Sequence, residues 1–497
     1  MNFRWQPFVL SCLLVCSAGV CLISNAQAAE QESESARAPA ADSDRWHLLA
    51  RRIDSLRRQS NVPAAGLIVL DRGQIVLLET FGSVDETTPF RWGSISKSFT
   101  ALGALKAVSE SATRLNDPVR GILSPPSYIN PWRETEPLKI VHLLELTAGL
   151  GDLSREEFTA NEPLPLNRAL ANNADRSMLW PPGLQHSYSN VPPGLTAAVI
   201  ESLSGQDFDT YMAKKIFAPL AMTSASFQPV KGLPGGFAED GRREIPYWHV
   251  TFRAFGGLNA SVSDMGRFLT ALLNADPANS GQALDFALVD RMFTPTSSAG
   301  ARAGLAISYG AGAYAWVSNG QVFWGHGGDA DGYRSRYGLL RDRGRGYLLV
   351  INTDNPSLLR RLQRTVESEL TADLSGPPGC GIKSTTSANR LQTDLTRFAG
   401  DYYPASTRFR VAGWRSGALD RATVSVTNAK LSFARKGRVV TLEHCGGGLF
   451  RRPADPAPTA VFFQADNGVL YLQGELGNFL NLSTGNCPGF LDLCHEE

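Results

Sequence analysis

Arg91-Trp-Gly-Ser-Ile-Ser-Lys-Ser-Phe-Thr100 is the stretch from which the fold of this chain can be predicted. It places Ser94 three residues before Lys97, and residues at this spacing are neighbours on a helix. The apolar residues that follow recur at helical spacing: Phe99, Leu102, Leu105 and Val108. A desolvated lysine can take the proton of a serine, and the free N–H groups of a first helical turn favour an oxyanion. The stretch therefore predicts attack of Ser94 on a carbonyl.

Ser-x-x-Lys alone is a weak signal. In a chain of 497 residues this spacing arises by chance about once, and the alternative interpretation is a helix start with an incidental surface lysine. Two further motifs are needed to decide between the two interpretations.

The second motif follows Pro182-Gly183 and has the sequence His186-Ser-Tyr-Ser-Asn190. Tyr188 and Asn190 alternate along the chain after a turn, so we expect their side chains on one side of it. A tyrosine near a lysine can act as a phenolate base or pass a proton to the leaving group. The Asn190 amide can hydrogen-bond a substrate carbonyl and hold Lys97 in place. The alternative is a turn tyrosine with an asparagine that caps the next segment.

The third motif, Trp324-Gly-His-Gly-Gly-Asp-Ala-Asp-Gly-Tyr333, lies between two predicted strands. Gly327 and Gly328 let a ligand backbone approach the strand edge closely. We expect the N–H of Asp329 to supply an oxyanion donor beside the N–H of the nucleophile. His326 is expected to hydrogen-bond a substrate carboxylate or carbonyl. The alternative is a flexible glycine turn.

Ser-x-x-Lys, Tyr-x-Asn and His-x-Gly in this order resemble the motifs of the serine β-lactamase and penicillin-binding-protein superfamily. The resemblance is greatest to the class C-like branch, which includes D-aminopeptidases, DD-peptidases, family VIII esterases and many β-lactamase-related serine hydrolases. It extends over residues 46–370 and includes further segments that are similar to family landmarks: Leu115–Val119, Val141–Leu144, Gly149–Leu150, Pro219–Met222, Gly256–Leu258 and Asp264. This makes an incidental Ser-x-x-Lys improbable.

The resemblance implies a role for each site residue by its position. Ser94 would be the acylated nucleophile and Lys97 its base, with Tyr188 sharing in proton transfer; which of the two takes the proton first is left open. The implied substrate-binding residues are Asn190, His326, Gly327 and Gly328. The strand edge at the third motif would bind the substrate backbone as an added strand. The resemblance implies no metal and no organic cofactor.

The sequence thus predicts an exported serine hydrolase that acts through an acyl-enzyme on Ser94. Its expected substrates are amides or peptides containing D-amino acids, or small esters, and peptidoglycan-derived peptides are possible partners. One alternative is a class C-like β-lactamase. The other, from a different class of protein, is a catalytically silent protein that binds penicillin or peptidoglycan fragments. Because all three motifs are intact, the silent protein is disfavoured.

One departure from the family pattern bears on the β-lactamase alternative. Class C β-lactamases have a lysine where this chain has His326. An imidazole with an ordinary pKa of about 6.5 is mostly neutral at pH 7, so it attracts a β-lactam carboxylate less than an ammonium does. The departure disfavours β-lactamase activity but leaves the prediction of acyl transfer unchanged.

The chain is predicted to have an α+β fold in two domains. Strands near both ends of residues 45–374, with helices between them, indicate a β-lactamase/transpeptidase-like domain with an antiparallel sheet, flanking helices and an inserted helical region. Residues 375–392 contain many Gly, Pro, Ser and Thr residues and predict a linker. Residues 393–497 alternate with period two and predict a small antiparallel barrel or sandwich. This tail is similar to the β-barrel domains appended to many of these hydrolases.

Periodicity places the main elements. Helical spacing predicts helices at Trp46–Arg58, Ile140–Leu146, Leu195–Leu203, Phe208–Phe217, Val262–Leu273 and Pro356–Leu370. Ala64–Leu70 and Gln74–Phe81 predict a β-hairpin, and further strands are predicted at Val322–Trp324, Tyr333–Leu340 and Gly346–Ile351.

The N-terminus predicts export. Arg4 is followed by an apolar run from Phe8 to Ile23 and then by Ala26-Gln-Ala28, which is the pattern of a cleaved secretory signal (1–28). A retained membrane anchor is the alternative, but the run is short and interrupted. Residues 29–44 lack an apolar period and predict a disordered leader. The mature protein is therefore expected to be periplasmic or secreted and not to span a membrane.

Charge and cysteine content limit the partners further. Lys and Arg total 48 and Asp and Glu 47, so nucleic acid and anionic membranes are not favoured as partners. Three of the seven cysteines lie in the predicted signal. The other four predict two disulfides with three possible connectivities, and their spacing matches no zinc pattern: Cys380, Cys445, Cys487 and Cys494.

Overall fold

In a computed structural model the described residues are 40–123, 128–172, 176–279, 282–376, 380, 394–405, 421–466 and 468–484. The predicted signal peptide, most of the predicted linker, Cys487 and Cys494 lie outside these ranges. Residues 1–48 form one unit and residues 49–497 a second, which holds the elements discussed below. The first helix, α1 (Ala40–Gln59), begins inside the segment predicted as a leader (29–44). Within the described ranges, we find no helix with the length and apolar character of a membrane span.

A six-stranded antiparallel sheet organises most of the second unit. Its strands in spatial order are β2 (Gln74–Phe81), β1 (Ala65–Asp71), β12 (Arg345–Ile351), β11 (Tyr333–Leu340), β10 (Gln321–Ala330) and β9 (Tyr314–Ser318). The first strand therefore pairs with the last, and Leu67 lies opposite Leu349. Both strands are runs of buried aliphatic residues, which is typical of strands covered on both faces. The prediction of a sheet built from both ends of the domain is confirmed.

Helices and short strands occupy the chain between β2 and β9 and follow β12. The helices are α2 (Ser96–Ser109), α3 (Ile140–Leu144), α4 (Arg155–Phe158), α5 (Leu166–Ala171), α6 (Val191–Ser204), α7 (Phe208–Met212), α8 (Arg253–Gly256), α9 (Val262–Leu273), α10 (Phe286–Met292), α11 (Ala299–Arg302) and α12 (Pro356–Leu370). The short strands form three pairs: β3 (Pro89–Arg91) with β8 (Asn259–Ser261), β4 (Thr159–Ala160) with β7 (His249–Val250), and β5 (Gly236–Phe237) with β6 (Glu244–Ile245).

The two faces of the sheet meet different helical layers. Leu348 and Val350 of β12 belong to the main hydrophobic core, which also contains residues of α2 and α9. Tyr347, directly before Leu348 in the same strand, donates a hydrogen bond of 2.8 Å to Glu367 of α12. Because successive side chains of a strand point to opposite faces, α12 covers the face of the sheet away from α2.

Helix α2, which follows the turn at residues 93–95, is buried on all sides. The sequence predicts one buried face, but every residue of α2 except Lys106 and Ser109 is buried. Small residues lie between the large ones, so neighbouring helices approach closely; a Cβ on Gly103 would lie 2.4 Å from the Met212 sulfur. A helix without a polar face is a core element, and α2 is the centre of this domain.

Two predicted helices differ from the expected geometry. The helix predicted at residues 140–146 ends at Leu144, because Leu146 and Gly149 have left-handed backbone conformations with φ of 52° and 77°. The helix predicted at residues 208–217 is α-helical only to Met212 and continues to Phe217 as a π-helix. Apolar spacing alone does not distinguish these neighbouring helical geometries.

The third motif lies within a strand, not in a turn between strands. β10 extends from Gln321 to Ala330, where the sequence predicts a strand only at residues 322–324. Gly327 pairs with Arg336 and Gly328 with Ser335. The alternative of a flexible glycine turn is therefore wrong for these glycines, which lie within a paired strand.

The C-terminal domain is a closed barrel. Its antiparallel strands are β13 (Gly400–Pro404), β14 (Ala422–Thr427), β15 (Lys430–Arg435), β16 (Arg438–Gly446), β17 (Leu449–Arg451), β18 (Ala460–Gln464), β19 (Leu470–Gly474) and β20 (Phe479–Asn481). Aromatic side chains fill much of its core: Phe398, Tyr402, Phe433, Phe450, Phe462 and Phe479. Of the two predicted architectures, the barrel is confirmed. A disulfide joins Cys380 to Cys445 of β16.

Candidate active site

Ser94 lies in a tight turn, Gly93–Ile95, directly before α2. The turn packs closely against β10. A Cβ on Gly328 of that strand would lie only 1.8 Å from the carbonyl oxygen of Trp92, so only glycine fits there. On the other side the indole of Trp92 is fully buried and donates a hydrogen bond of 2.8 Å to the Ala260 carbonyl of β8. Strand, turn and helix together therefore fix the position of the Ser94 hydroxyl.

Lys97 is buried and its amine is held by three neighbours. Its Nζ lies 3.0 Å from Ser94 Oγ, 2.7 Å from Asn190 Oδ1 and 3.1 Å from the Phe255 carbonyl oxygen. Its side chain also passes the ring of Tyr188, whose centroid is 4.8 Å from Nζ. Residues from the turn before α2, from the N-terminus of α6 and from α8 thus converge on one amine.

Tyr188 completes the surroundings of the Ser94 hydroxyl. Its hydroxyl lies 2.7 Å from Ser94 Oγ, so Ser94 has the lysine amine and the phenol within hydrogen-bonding distance. Either group is placed to take the serine proton. The structure brings together the three residues that the sequence assigns to catalysis.

Asn190 is held by a residue that the sequence analysis missed. Its side chain is 1% exposed, and its Nδ2 donates to Asp152 Oδ2 at 3.2 Å while its Oδ1 accepts from Lys97. The main-chain N–H of Asn190 donates to Asp152 Oδ1 at 2.7 Å. Asp152 lies just after the Gly149–Leu150 landmark, but no motif rule marks it.

His326 lines the cavity with a neutral ring. Its Nδ1 lies 2.6 Å from the Gly327 carbonyl, to which only a protonated nitrogen can donate, so Nε2 accepts from the Tyr309 hydroxyl at 2.9 Å. Burial, with a smaller contribution from the Lys97 charge, lowers the pKa of His326 to about 3. Both ring nitrogens are thus engaged by the protein, and the ring carries no charge at neutral pH.

Asp329, which the sequence analysis expects to supply the second oxyanion donor, has its main chain close to the turn that holds Ser94. A Cβ on Gly93 would lie 2.7 Å from the main-chain nitrogen of Asp329. The backbone of β10 therefore runs directly beside the turn that holds Ser94.

A cavity of about 530 Å³ opens over Ser94 and includes most of the predicted site. Predicted residues in its wall are Ser94, Tyr188, Asn190, His326, Gly327 and Asp329. Apolar and aromatic residues form another part of the wall: Phe158, Leu305, Ile307, Tyr309 and Tyr314. Lys97 is not part of the cavity wall, but its amine contacts Ser94, which is.

The barrel contributes part of the same wall through the end of β19 and the segment that follows it. These residues are Gln473, Gly474, Glu475, Gly477 and Asn478. Gln473 accepts from the Gly300 N–H at 2.8 Å and donates to the Leu184 carbonyl at 3.0 Å. Asn478 donates to the His186 carbonyl at 2.7 Å. The barrel therefore touches the segment that leads into the second motif.

Arg336 is a cation in the cavity that the sequence analysis also missed. It lies on β11 opposite Gly327, its Nη1 donates to the Tyr314 hydroxyl at 2.5 Å, and its Nε is buried without a hydrogen-bond partner. The ion pairs of the described residues include Arg334 of the same strand but none with Arg336. A hairpin with its turn at Asp331-Gly332 pairs residue 327 with residue 336. This register is the sequence signal from which Arg336 could have been predicted beside the third motif.

The described residues contain no group of three His, Cys, Asp or Glu side chains that could hold a metal ion. The arrangement around Ser94 consists of a hydroxyl within hydrogen-bonding distance of an amine and a phenol, beside strand β10. Such an arrangement can perform nucleophilic attack on a carbonyl and transfer of the serine proton.

Comparison with known proteins gives the following similarities. The family model described as "Beta-lactamase" matches residues 49–371. Protein flp of Staphylococcus aureus (strain N315) is 27% identical over 180 residues, covering 34% of this chain and 36% of that protein. A beta-lactamase of Yersinia enterocolitica is 28% identical over 199 residues, covering 39% of this chain and 48% of that protein. The chain thus matches about a third to a half of the length of these curated relatives.

A solved structure described as SurE with D-Leu has a TM-score of 0.56 and 23% sequence identity. The similarity covers 89% of this chain and all of that chain. At this identity the likeness concerns the fold.

The buried histidines generate a prediction about stability in acid. Burial lowers the pKa of His186 to about 4, and burial with nearby Lys139 and Arg302 lowers that of His142 to about 3. Both values lie below the ordinary 6.5, so between pH 6.5 and 4 the unfolded chain binds protons that the folded chain excludes. The free energy of unfolding should fall by up to about 1.4 kcal/mol per pH unit for each such histidine.

Denaturant unfolding of wild type and His186→Leu at pH 7, 6, 5 and 4 measures this effect. The wild type should lose stability more steeply than the variant as the pH falls. Parallel curves for wild type and His186→Leu would contradict the prediction.

Proposed function

Because the chain belongs to the beta-lactamase family, we propose that it is a serine hydrolase whose Ser94 forms an acyl-enzyme with its substrate. One observation carries this proposal: Ser94 Oγ lies 3.0 Å from the Lys97 amine and 2.7 Å from the Tyr188 hydroxyl, at the wall of a cavity. A serine becomes a nucleophile when a neighbouring group takes its proton. A catalytically silent protein that only binds a ligand would not require this convergence.

The proposed reaction has two halves. Ser94 Oγ bonds to the substrate carbonyl carbon while its proton passes to Lys97 or Tyr188, and the N–H groups of Ser94 and Asp329 stabilise the oxyanion. Collapse of this intermediate breaks the bond to the leaving amine or alcohol, which receives the proton. Water then attacks the acyl-enzyme, its proton passes back through the same groups, and the free acid leaves with Ser94 restored.

The proposed substrates are amides or peptides containing D-amino acids, or small esters. The likeness to the SurE structure described with D-Leu supports a D-amino-acid substrate. The neutral His326 cannot bind a carboxylate as an ion pair, but the unpaired Arg336 in the same cavity can. A carboxylate near the scissile carbonyl, as at the end of a peptidoglycan-derived peptide, would therefore fit this cavity.

The second candidate function is β-lactam hydrolysis. The similarity to the Yersinia enterocolitica beta-lactamase favours it, and Arg336 supplies a cation for the carboxylate of a β-lactam. The sequence analysis disfavours this activity because His326 stands in place of a lysine, and the charge of Arg336 weakens that objection.

We further assign the protein to the exported class, periplasmic or secreted, on the pattern of residues 1–28 and the disulfide between Cys380 and Cys445. The barrel segment in the cavity wall supports a role for the C-terminal domain in limiting the length of the substrate.

Ser94→Ala should reduce hydrolysis by at least about a thousandfold, because it removes the nucleophile and leaves the other groups in place. The measurement is the initial rate on a D-alanyl-D-alanine peptide, a D-amino-acid p-nitroanilide, a p-nitrophenyl ester and a cephalosporin. Ser109→Ala, which removes an exposed hydroxyl from the end of the same helix, should retain the wild-type rate. A Ser94→Ala protein with wild-type turnover on the preferred substrate would contradict the proposal.

Arg336→Gln should lower kcat/KM by about 10- to 100-fold for substrates with a carboxylate beside the scissile bond, because a charge-assisted hydrogen bond is lost. The matched amide of the same substrate should react equally with wild type and variant. Arg361→Gln, on the exposed side of α12, serves as the control for loss of a positive charge. Equal losses for the acid and its amide would show that Arg336 has no role in carboxylate recognition.

A further inference from the structure

Asp152 is a buried carboxylate one side chain away from the catalytic lysine. It is 5% exposed and lies in the connection between α3 and α4. Its main-chain carbonyl accepts a hydrogen bond of 3.0 Å from Arg176, which holds this part of the connection. Its carboxylate is directed at Asn190, which in turn contacts the Lys97 amine.

The Asp152 carboxylate determines which way the Asn190 amide is turned. Oδ1 accepts from the main-chain N–H groups of Asn190 and Leu153, at 2.7 and 2.8 Å. Oδ2 lies 3.2 Å from the Asn190 amide nitrogen. An ionised carboxylate has no hydrogen to donate, so the end of the amide that faces it must be the NH₂ group. The oxygen end then points the other way.

The orientation of the Asn190 amide determines whether the Lys97 amine faces a hydrogen-bond acceptor or a donor. With the oxygen turned toward it, the lysine amine has an acceptor at 2.7 Å. The reversed amide would present two N–H donors to a group that itself carries N–H donors. All three side chains are at most 5% exposed, so water could not relieve that mismatch, and an unmet donor in a buried site is costly.

On this basis we propose that Asp152 is a positioning residue: its carboxylate locks the Asn190 amide so that the amide oxygen holds the Lys97 amine beside Ser94. Asp152 touches neither Ser94 nor the cavity; it acts through Asn190. The inference rests on the proposed function, because it assigns a role in activating the nucleophile of that same site.

Asp152→Asn tests the inference because it changes a single atom group. The new side chain keeps one oxygen for the main-chain N–H groups but turns its NH₂ toward the Asn190 amide. Two NH₂ groups cannot hydrogen-bond each other, so the Asn190 amide reverses and turns its NH₂ toward Lys97. The consequence should be slower activation of Ser94 even in a folded protein.

The readout is the second-order rate constant for inactivation by a small fluorophosphonate, which reports the reactivity of Ser94. Asp152→Asn should lower it by about 10- to 100-fold, the loss typical of outer partners that orient a reacting group. Asn190→Ala should lower it at least as much. The double variant should be no slower than Asn190→Ala alone, because the proposed effect of Asp152 on Lys97 passes through the Asn190 amide.

Asp264→Asn is the matched control, since Asp264 is also buried and accepts two hydrogen bonds from Ser224, at 2.7 and 2.6 Å. It should lower Tm and leave the inactivation rate unchanged. Thermal unfolding of every variant separates loss of fold from loss of reactivity. If Asp152→Asn does not fold, Asp152→Ser, which keeps one acceptor for the main chain and none for the amide, takes its place.

Losses that multiply in the double variant, or an unchanged rate in a folded Asp152 variant, would overturn the inference. Failure of the proposed function gives a different result, because the wild type itself would then not react with the fluorophosphonate at Ser94. If the wild type reacts with the fluorophosphonate but the losses of the two single variants multiply in the double variant, the proposed function stands and only the role of Asp152 is rejected.

Discussion

The structure of this site depends on the burial of one amine. Lys97 is 3% exposed, and a buried ammonium or amine is tolerated only where its hydrogen bonds are met. Its partners come from separate parts of the chain: Ser94 before α2, Asn190 before α6 and the Phe255 carbonyl in α8. The close packing of these helices around α2 therefore also places the three groups around the Lys97 amine. In our proposal this packing is what makes Ser94 reactive.

The sequence predicts the outline of the fold because its signals are local. The spacing of apolar residues predicts β1, β2, α9 and α12, and the alternation of apolar and polar residues in the tail predicts the C-terminal β domain. Three features depend on neighbours that no local pattern encodes: the burial of α2 on all sides, the early end of the helix at residues 140–146, and the change to a π-helix within residues 208–217. The extent of β10 was likewise underestimated, because glycine-rich stretches read as turns although Gly327 and Gly328 are paired in a sheet.

The candidate site divides in the same way. Ser94, Lys97, Tyr188 and Asn190 lie in short motifs, and the structure brings them together. The other residues of the site lie outside these motifs, so the sequence carries no local signal for them. Loops bring Asp152 and Tyr309 to the site, strand register brings Arg336, and contact with the barrel brings residues 473–478. The expected role of His326 illustrates the difference, because the residue is at the cavity but both its nitrogens are occupied by Tyr309 and Gly327. In our proposal an anionic substrate is therefore bound by Arg336 of the neighbouring strand β11.

The central claim is that Ser94 is a reactive nucleophile, and the most direct test is mass spectrometry of the intact mature protein after separate incubation with a fluorophosphonate and with penicillin. The account predicts a single covalent adduct with the fluorophosphonate, mapped to the peptide that contains Ser94 and absent from a protein with alanine at that position. An additional penicillin adduct would extend the account to β-lactam recognition. No adduct with either reagent, in a protein shown to be folded, would contradict the account and favour a protein that binds its ligand without reacting.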